Sequence, residues 1–236
     1  MIGRIGLALS GCVATMLSLA GGAQAQQPLN TLTDAERAAG WTLLFDGQSL
    51  NGWRGYNMSG LPGSWAAREG ALARVGPGGD LITDAQYDDF ELTFEWKVET
   101  GGNSGVFYRA AEGQDLIYYS APEYQVLDDA HHADGQSPLT SAGSNYALDA
   151  APRGHVKPAG EWNSGRVVVR GDHVEHWLNG AQVVAYELHG AEWKDRVANS
   201  KFAAWPAYGM ATRGHIGLQD HGDPVWYRNI KLRVLR

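Results

Sequence analysis

Glu123, Gln125 and Asp128 fall within six residues of one another in the stretch PEYQVLDD. Carboxyl and amide groups so close together can move protons and hydrogen-bond the hydroxyls of a sugar. Their neighbours Tyr124, Val126 and Leu127 favour an extended strand. Side chains at i and i+2 of a strand share a face, so Glu123 and Gln125 point together. Asp128 joins that row only if a β-bulge adds one residue. The plain alternative is a solvent-facing edge strand that is polar because water wets it.

Other stretches carry reactive types. GGNSGVFYRA sets Asn103 and Arg109 behind two glycines, and Arg109 could hold a carboxylate or a developing oxyanion. HIGLQDHGDPVWYRN gathers Gln219 and His221 around a Gly222-Asp223-Pro224 turn, and His221 can serve as base or acid near neutral pH. His215, Asp220 and His221 are metal-ligating types, but neither their spacing nor the set matches a standard zinc motif. In GDHVEHWLNG, His176 alternates with His173, Glu175 and Trp177, which leaves it either a core residue or a sugar contact. His131 and His132 are adjacent, so their side chains diverge, and a flexible loop is the simpler reading. Tyr146, Trp162, Trp205 and Tyr208 lie in or beside loops where rings could line a cleft and stack on a sugar face.

These residues have to be positioned by strands. FELTFEWKV puts Phe90, Leu92, Phe94, Trp96 and Val98 on one side and Glu91, Thr93, Glu95 and Lys97 on the other. SGVFYRA, EYQVL, SGRVVVRGDHVEHWLNGAQVVAYEL, HIGLQD and VWYRNIKLRVL continue the series, with Asn179-Gly180 as a hairpin turn. Glycine supplies 31 of 236 residues, roughly twice the usual share, which suits many tight turns. TLTDAERAAGW reads as one short helix with Thr33 as its cap, Glu36 closing a capping box and Gly40 ending it. GAEWKDRVANSKF has helical spacing. The expected fold class is all-β: one jelly-roll β-sandwich of two antiparallel sheets, with short helical excursions, spanning residues 26–236.

Residues 1–25 have the form of a secretory signal peptide, with Arg4, an apolar run and a cleavage site after Ala25. The run is too short and too broken by glycine and serine for a membrane span. The protein is therefore expected to be exported, to the periplasm or outside the cell; LSGC, ending at Cys12, resembles a lipobox and gives lipid anchoring as the minor alternative. Cys12 is the chain's one cysteine, so the mature domain has no disulfide. Removing residues 1–25 takes one base from the 19, leaving 18 against 26 acids and a net charge of −8. A negative chain without basic runs is a poor partner for nucleic acid.

Taken together, GWTLLFDGQSLNGW, GGNSGVFYR, PEYQVLDD, KPAGEWNSGRVVVRGDHVEHWLNG, SKF and GHIGLQDHGDPVWYRNIKL resemble the 3-keto-disaccharide hydrolase domain family, in order and over nearly all of the mature chain. The resemblance implies a concanavalin-like jelly roll and a small carbohydrate substrate, a glycoside oxidised at C3. The polar row is also similar, more distantly, to the Glu-x-Asp-x-x-Glu of β-glucanases and laminarinases, but Gln125 cannot ionise, which argues against two-carboxylate hydrolysis. A C3 ketone acidifies the C2 hydrogen instead, and loss of that proton lets the C1 oxygen leave before water adds. Base work then falls to His221 or Glu123, and enolate stabilisation to Arg109, Lys157 or a divalent metal ion. Asp128 and Gln125 would orient the sugar, with Tyr146, Trp205, Gln219, Glu95 and His176 as further contacts. The competing reading is a non-catalytic carbohydrate-binding module, since one sandwich can serve either end.

Overall fold

The strand Phe90–Val98 keeps its alternation: Phe90, Leu92, Phe94, Trp96 and Val98 are all buried. It lies within the larger of two antiparallel sheets in a computed structural model, which describes residues 1–3 and 28–235. The expected signal peptide, with Cys12 and the junction after Ala25, lies outside the described residues apart from its first three.

In chain order the strands are β1 (Trp41–Leu43), β2 (Trp53–Gly55), β3 (Trp65–Arg68), β4 (Ala71–Arg74), β5 (Leu81–Thr83), β6 (Phe90–Val98) and β7 (Asn103–Ala110). Then follow β8 (Glu123–Leu127), β9 (Asn163–Arg170), β10 (His173–Leu178), β11 (Ala181–Glu187), β12 (His215–Leu218) and β13 (Val225–Val234). The eight-stranded sheet runs β11-β10-β9-β6-β13-β4-β3, with β1 also on β13; the five-stranded sheet runs β2-β5-β12-β7-β8. Among the described residues two short α-helices complete the fold, α1 (Asp34–Ala38) and α2 (Ala191–Ala198). The capping box on α1 forms as the sequence predicts, with Thr33 and Glu36 exchanging hydrogen bonds. No helix among the described residues is long and apolar enough to cross a membrane.

The main core fills the space between the sheets, where Tyr108, Tyr124 and Val126 of the smaller sheet meet Phe94, Val167 and Val174 of the larger one. Burial of this many large side chains supplies the main stabilisation of a domain without disulfides. The smaller sheet is covered on its outer face as well. There Ile82, Phe107 and Ala110 pack against Ile117 and Ala121 of the β7–β8 connection. The free edge of β8 is covered too: Gln125 N–H donates to Ser144 O, Gly143 N–H to Gln125 O and Tyr146 N–H to Glu123 O. All five residues of β8 are therefore buried, and the solvated-edge reading of PEYQVLDD is excluded.

Candidate active site

Between these covering segments an opening is left on the outer face of the smaller sheet. It is a cavity of about 180 Å³ lined by Asn103, Tyr118, Glu123, Gln125, Tyr146, Lys201, Gln219 and His221. Strand alternation brings Glu123 and Gln125 there, and pairing of β7 with β8 brings Asn103 alongside. Gln219 and His221 arrive from the segment after β12, where Gln219 N–H donates to Gly105 O. Glu123 lies across Gly105: a Cβ at that glycine would stand 2.0 Å from its Oε1. The glycine of GGNSG is thus the gap that admits the carboxyl.

The polar atoms here are short of partners. Asn103 Oδ1, Gln125 Oε1 and Gln219 Oε1 are buried and accept no hydrogen bond from the described residues. Buried polar atoms are normally satisfied, so a site that leaves several unmet is shaped for donors brought by a ligand. Sugar hydroxyls are such donors. A larger hollow of about 540 Å³ opens on the outer face of the eight-stranded sheet, lined by Glu95, Arg166, Arg228 and Trp177 among others. Its charges are already paired, Arg228 with Glu95 at 2.6 Å and Arg166 with Glu91 at 2.6 Å.

Electrostatics sets the protonation in the smaller cavity. Burial pushes the Glu123 carboxyl up to about 8, against the pull of nearby Lys201. Burial likewise lowers the Lys201 ammonium, with Glu123 and Asp134 opposing the shift. Each ion is disfavoured by loss of water more than it is favoured by the other. Lys201 Nζ stands 4.2 Å from the centroid of the Tyr146 ring, and Tyr146 donates its hydroxyl to Asp134 Oδ2 at 3.1 Å. At the mouth, His221 Nδ1 faces Asp223 Oδ2 at 3.4 Å, and the same carboxylate accepts the Asn103 N–H at 3.2 Å. With its proton on Nδ1 the ring presents Nε2 as an acceptor, met at 3.5 Å by Asn103 Nδ2.

Several residues expected at the site stand elsewhere. Asp128 follows β8 with no register shift between β7 and β8, so the expected bulge is absent. Its carboxyl turns away to accept from Gly101 N–H at 2.8 Å and to meet His131 Nδ1 at 2.8 Å. The bulge lies in β7 instead, where Tyr108 and Arg109 oppose the single residue Ile216. Arg109 takes a left-handed φ of 51° there and donates to Asp88 O and Gly171 O, clear of the cavity. Lys157 donates its ammonium to Trp162 O, and Glu95 holds Arg228 on the other sheet. His176 is a core residue between Tyr108 Oη at 2.8 Å and Gly143 O at 3.0 Å, its imidazole pushed down to about 4 by burial.

Trp205 stands one layer behind, stacked on Tyr119 at 4.4 Å and edge-on to Tyr118, which does line the cavity. His215 donates its Nδ1–H to Thr83 O inside the sheet, and Asp220 binds Arg74. Among the described residues no three His, Cys, Asp or Glu side chains converge as metal ligands. Sequence reasoning missed Lys201 and Tyr118, and read His132, whose Nε2 lies 3.5 Å from Asn103 Nδ2, as part of a flexible loop. Lys201 was present only as the middle of SKF, and nothing in its spacing announces that a short helical turn delivers it beside Glu123.

Residues 40–233 match the family described as the 3-keto-alpha-glucoside-1,2-lyase-like domain. The chain belongs to this family. It is 40% identical to the 3-keto-disaccharide hydrolase of Bacteroides thetaiotaomicron over 230 residues, covering 84% of this chain and 79% of that one. A candidate glycosyl hydrolase of Parabacteroides distasonis superposes with a TM-score of 0.84 at 34% identity, over 89% of this chain and all of that one. A second from the same organism superposes at 0.66 with 30% identity, over 83% of this chain and 99% of the other. The two-sheet architecture of the lyase-like domain is thus shared by solved relatives.

Proposed function

We propose that this chain is a glycoside-acting hydrolase that cleaves 3-keto-glycosides by removing the C2 proton, expelling the C1 oxygen and then adding water. The observation that carries the reading is the pair of opposed groups in one small cavity, a protonated Glu123 and a His221 whose Nε2 is an acceptor. Burial that keeps a carboxyl protonated suits it to act as the acid, and leaves base work to the other group. His221 takes the C2 proton; the electrons form the C1–C2 double bond as the C1–O bond breaks; Glu123 protonates the departing oxygen. Water then adds: Glu123 takes a proton from it as its oxygen bonds C1, and His221, its proton exchanged with solvent, protonates C2. Lys201 is the cation beside the C3 oxygen as charge collects there, a role the sequence offered to Arg109 or Lys157. Gln125, Gln219 and Asn103 hold the sugar's hydroxyls.

Membership of the lyase-like family and the activity named for the Bacteroides relative support this substrate class. The amino-terminal signal would deliver the enzyme outside the cytoplasm, where oxidised glycosides could reach it. The test is cleavage of a 3-keto-glucoside beside its unoxidised parent in buffered D₂O. Release from the keto form alone, with deuterium at C2 of the product, is the expected result. Cleavage of both, or of the keto form without deuterium at C2, would sink the elimination route. If neither is cut but one raises the Tm, the protein is a binding module.

A further inference from the structure

The second histidine of HH is placed beside this cavity. His132 Nε2 stands 3.5 Å from Asn103 Nδ2, and His221 Nε2 stands 3.5 Å from the same nitrogen. The two ring nitrogens are therefore no more than twice that distance apart, with ring centroids 6.0 Å from one another. His131 diverges to Asp128, as adjacent residues must, so only one of the pair reaches the site.

What fixes the chemistry of His132 is on its other side. The Asp134 backbone N–H donates to His132 Nδ1 at 3.1 Å, capping the short turn Ala133–Gln136. A ring nitrogen that accepts an N–H carries no proton of its own, so the neutral ring must hold its proton on Nε2. His221 is arranged the other way round, with Nδ1 against the Asp223 carboxylate and Nε2 as the acceptor. The Asn103 amide nitrogen between them can donate to His221 but cannot accept from His132. The Nε2–H of His132 has no other acceptor among the described residues.

We propose that His132 is a further catalytic residue, a neutral imidazole that donates its Nε2–H to the C3 oxygen of the substrate while His221 takes the neighbouring C2 proton. This rests on the function proposed above. Oxygen and hydrogen on adjacent carbons need a donor and a base side by side, and the two rings with opposite tautomers are that arrangement. A neutral imidazole can polarise a carbonyl in this way. Asp134 also ties His132 to Lys201: its N–H fixes the ring, and its carboxylate accepts the hydroxyl of Tyr146, over whose ring Lys201 lies. No proton leaves His132 in the step, so nothing has to return it.

The test starts with ¹⁵N-labelled histidine in the full chain, read by long-range ¹H–¹⁵N NMR at a pH where the ring is neutral. The inference requires the Nε2–H tautomer at His132; the Nδ1–H tautomer overturns it, whether or not any glycoside is cut. Adding 3-ketoglucose should shift the His132 Nε2–H resonance, and glucose should not; equal shifts with both would overturn the assignment to the ketone. In kinetics, His132→Gln places an amide N–H near the Nε2 position, and His132→Phe removes the donor. We expect His132→Phe to lose roughly 10²-fold in kcat, as for one oxyanion donor, with His132→Gln recovering much of it. Equal loss in both, at unchanged Tm, would show that the donor is not used. A wild type that cuts no keto-glycoside would instead defeat the proposed function and leave the tautomer standing.

Discussion

Glu123 shows how much one side chain's surroundings decide. In water a glutamate is ionised at neutral pH and could serve as a base; here burial holds it protonated up to about pH 8. Its proton is what an acid at the leaving oxygen needs. The activity of the wild type should therefore fall as pH rises through about 8. Glu123→Gln keeps the shape and removes the proton, which should cost 10²- to 10⁴-fold in kcat, typical of general-acid loss. The residual activity should have no alkaline limb of this origin, measured as kcat against pH from 6 to 10. If Glu123 were the base, wild-type activity would rise through that pKa instead, and the assignment of acid and base would have to be exchanged. Residue types and alternation suffice to pick out Glu123, Gln125, Tyr146, Gln219 and His221, which the fold does bring to one cavity. They do not indicate that Arg109 and His176 are spent on the frame, because only tertiary contacts reveal that.

At the scale of the element, the pairing of β7 with β8 is what makes the cavity. Regular alternation with no shift puts Glu123 and Gln125 on the outer face, and Gly105 provides the room for the carboxyl. Gly105→Ala separates site geometry from stability. Its new Cβ meets the end of a flexible side chain rather than backbone, so Glu123 can swing aside. We expect a Tm within a few degrees of wild type and a kcat lower by roughly 10²-fold, the usual effect of misplacing a reacting group by about 1 Å. A fully active Gly105→Ala would mean that the carboxyl's place over the glycine is immaterial. Element boundaries are easier to infer than irregularities: the long alternating strand and the capped helix follow from pattern, while the bulge falls in β7 at Arg109 rather than at Asp128. No glycine marks that bulge, and Arg109 keeps its left-handed φ where three partners on two segments hold its side chain. His132 is equally hard to infer, since its role depends on a turn closing over β7.

Across the whole molecule, two buried groups of opposite habit link the sheets to pH. His176 belongs to β10 of the larger sheet and bonds Tyr108 of the smaller one and Gly143 of the segment along β8. Its imidazole is lowered to about 4 by burial, from 6.5. Between those values the unfolded chain takes up a proton that the folded one refuses, so stability falls as pH falls from 6.5 to about 4. Glu123 works in the other direction. Its carboxyl is raised from 4.5 to about 8, so its stabilising contribution is whole below 4.5 and is lost as pH rises to about 8. Each slope is about 1.4 kcal/mol per pH unit. Between 4.5 and 6.5 the two oppose and nearly cancel. Single variants should expose the hidden slopes in Tm measured from pH 4 to 9. Relative to wild type, Glu123→Gln should gain stability steadily from pH 4.5 to 8, and His176→Phe should gain from pH 6.5 down to 4, whatever its offset from lost hydrogen bonds. Parallel Tm curves for wild type and Glu123→Gln would show that the carboxyl titrates as if in water. The protonated acid would then have to be abandoned, and with it the division of labour between Glu123 and His221.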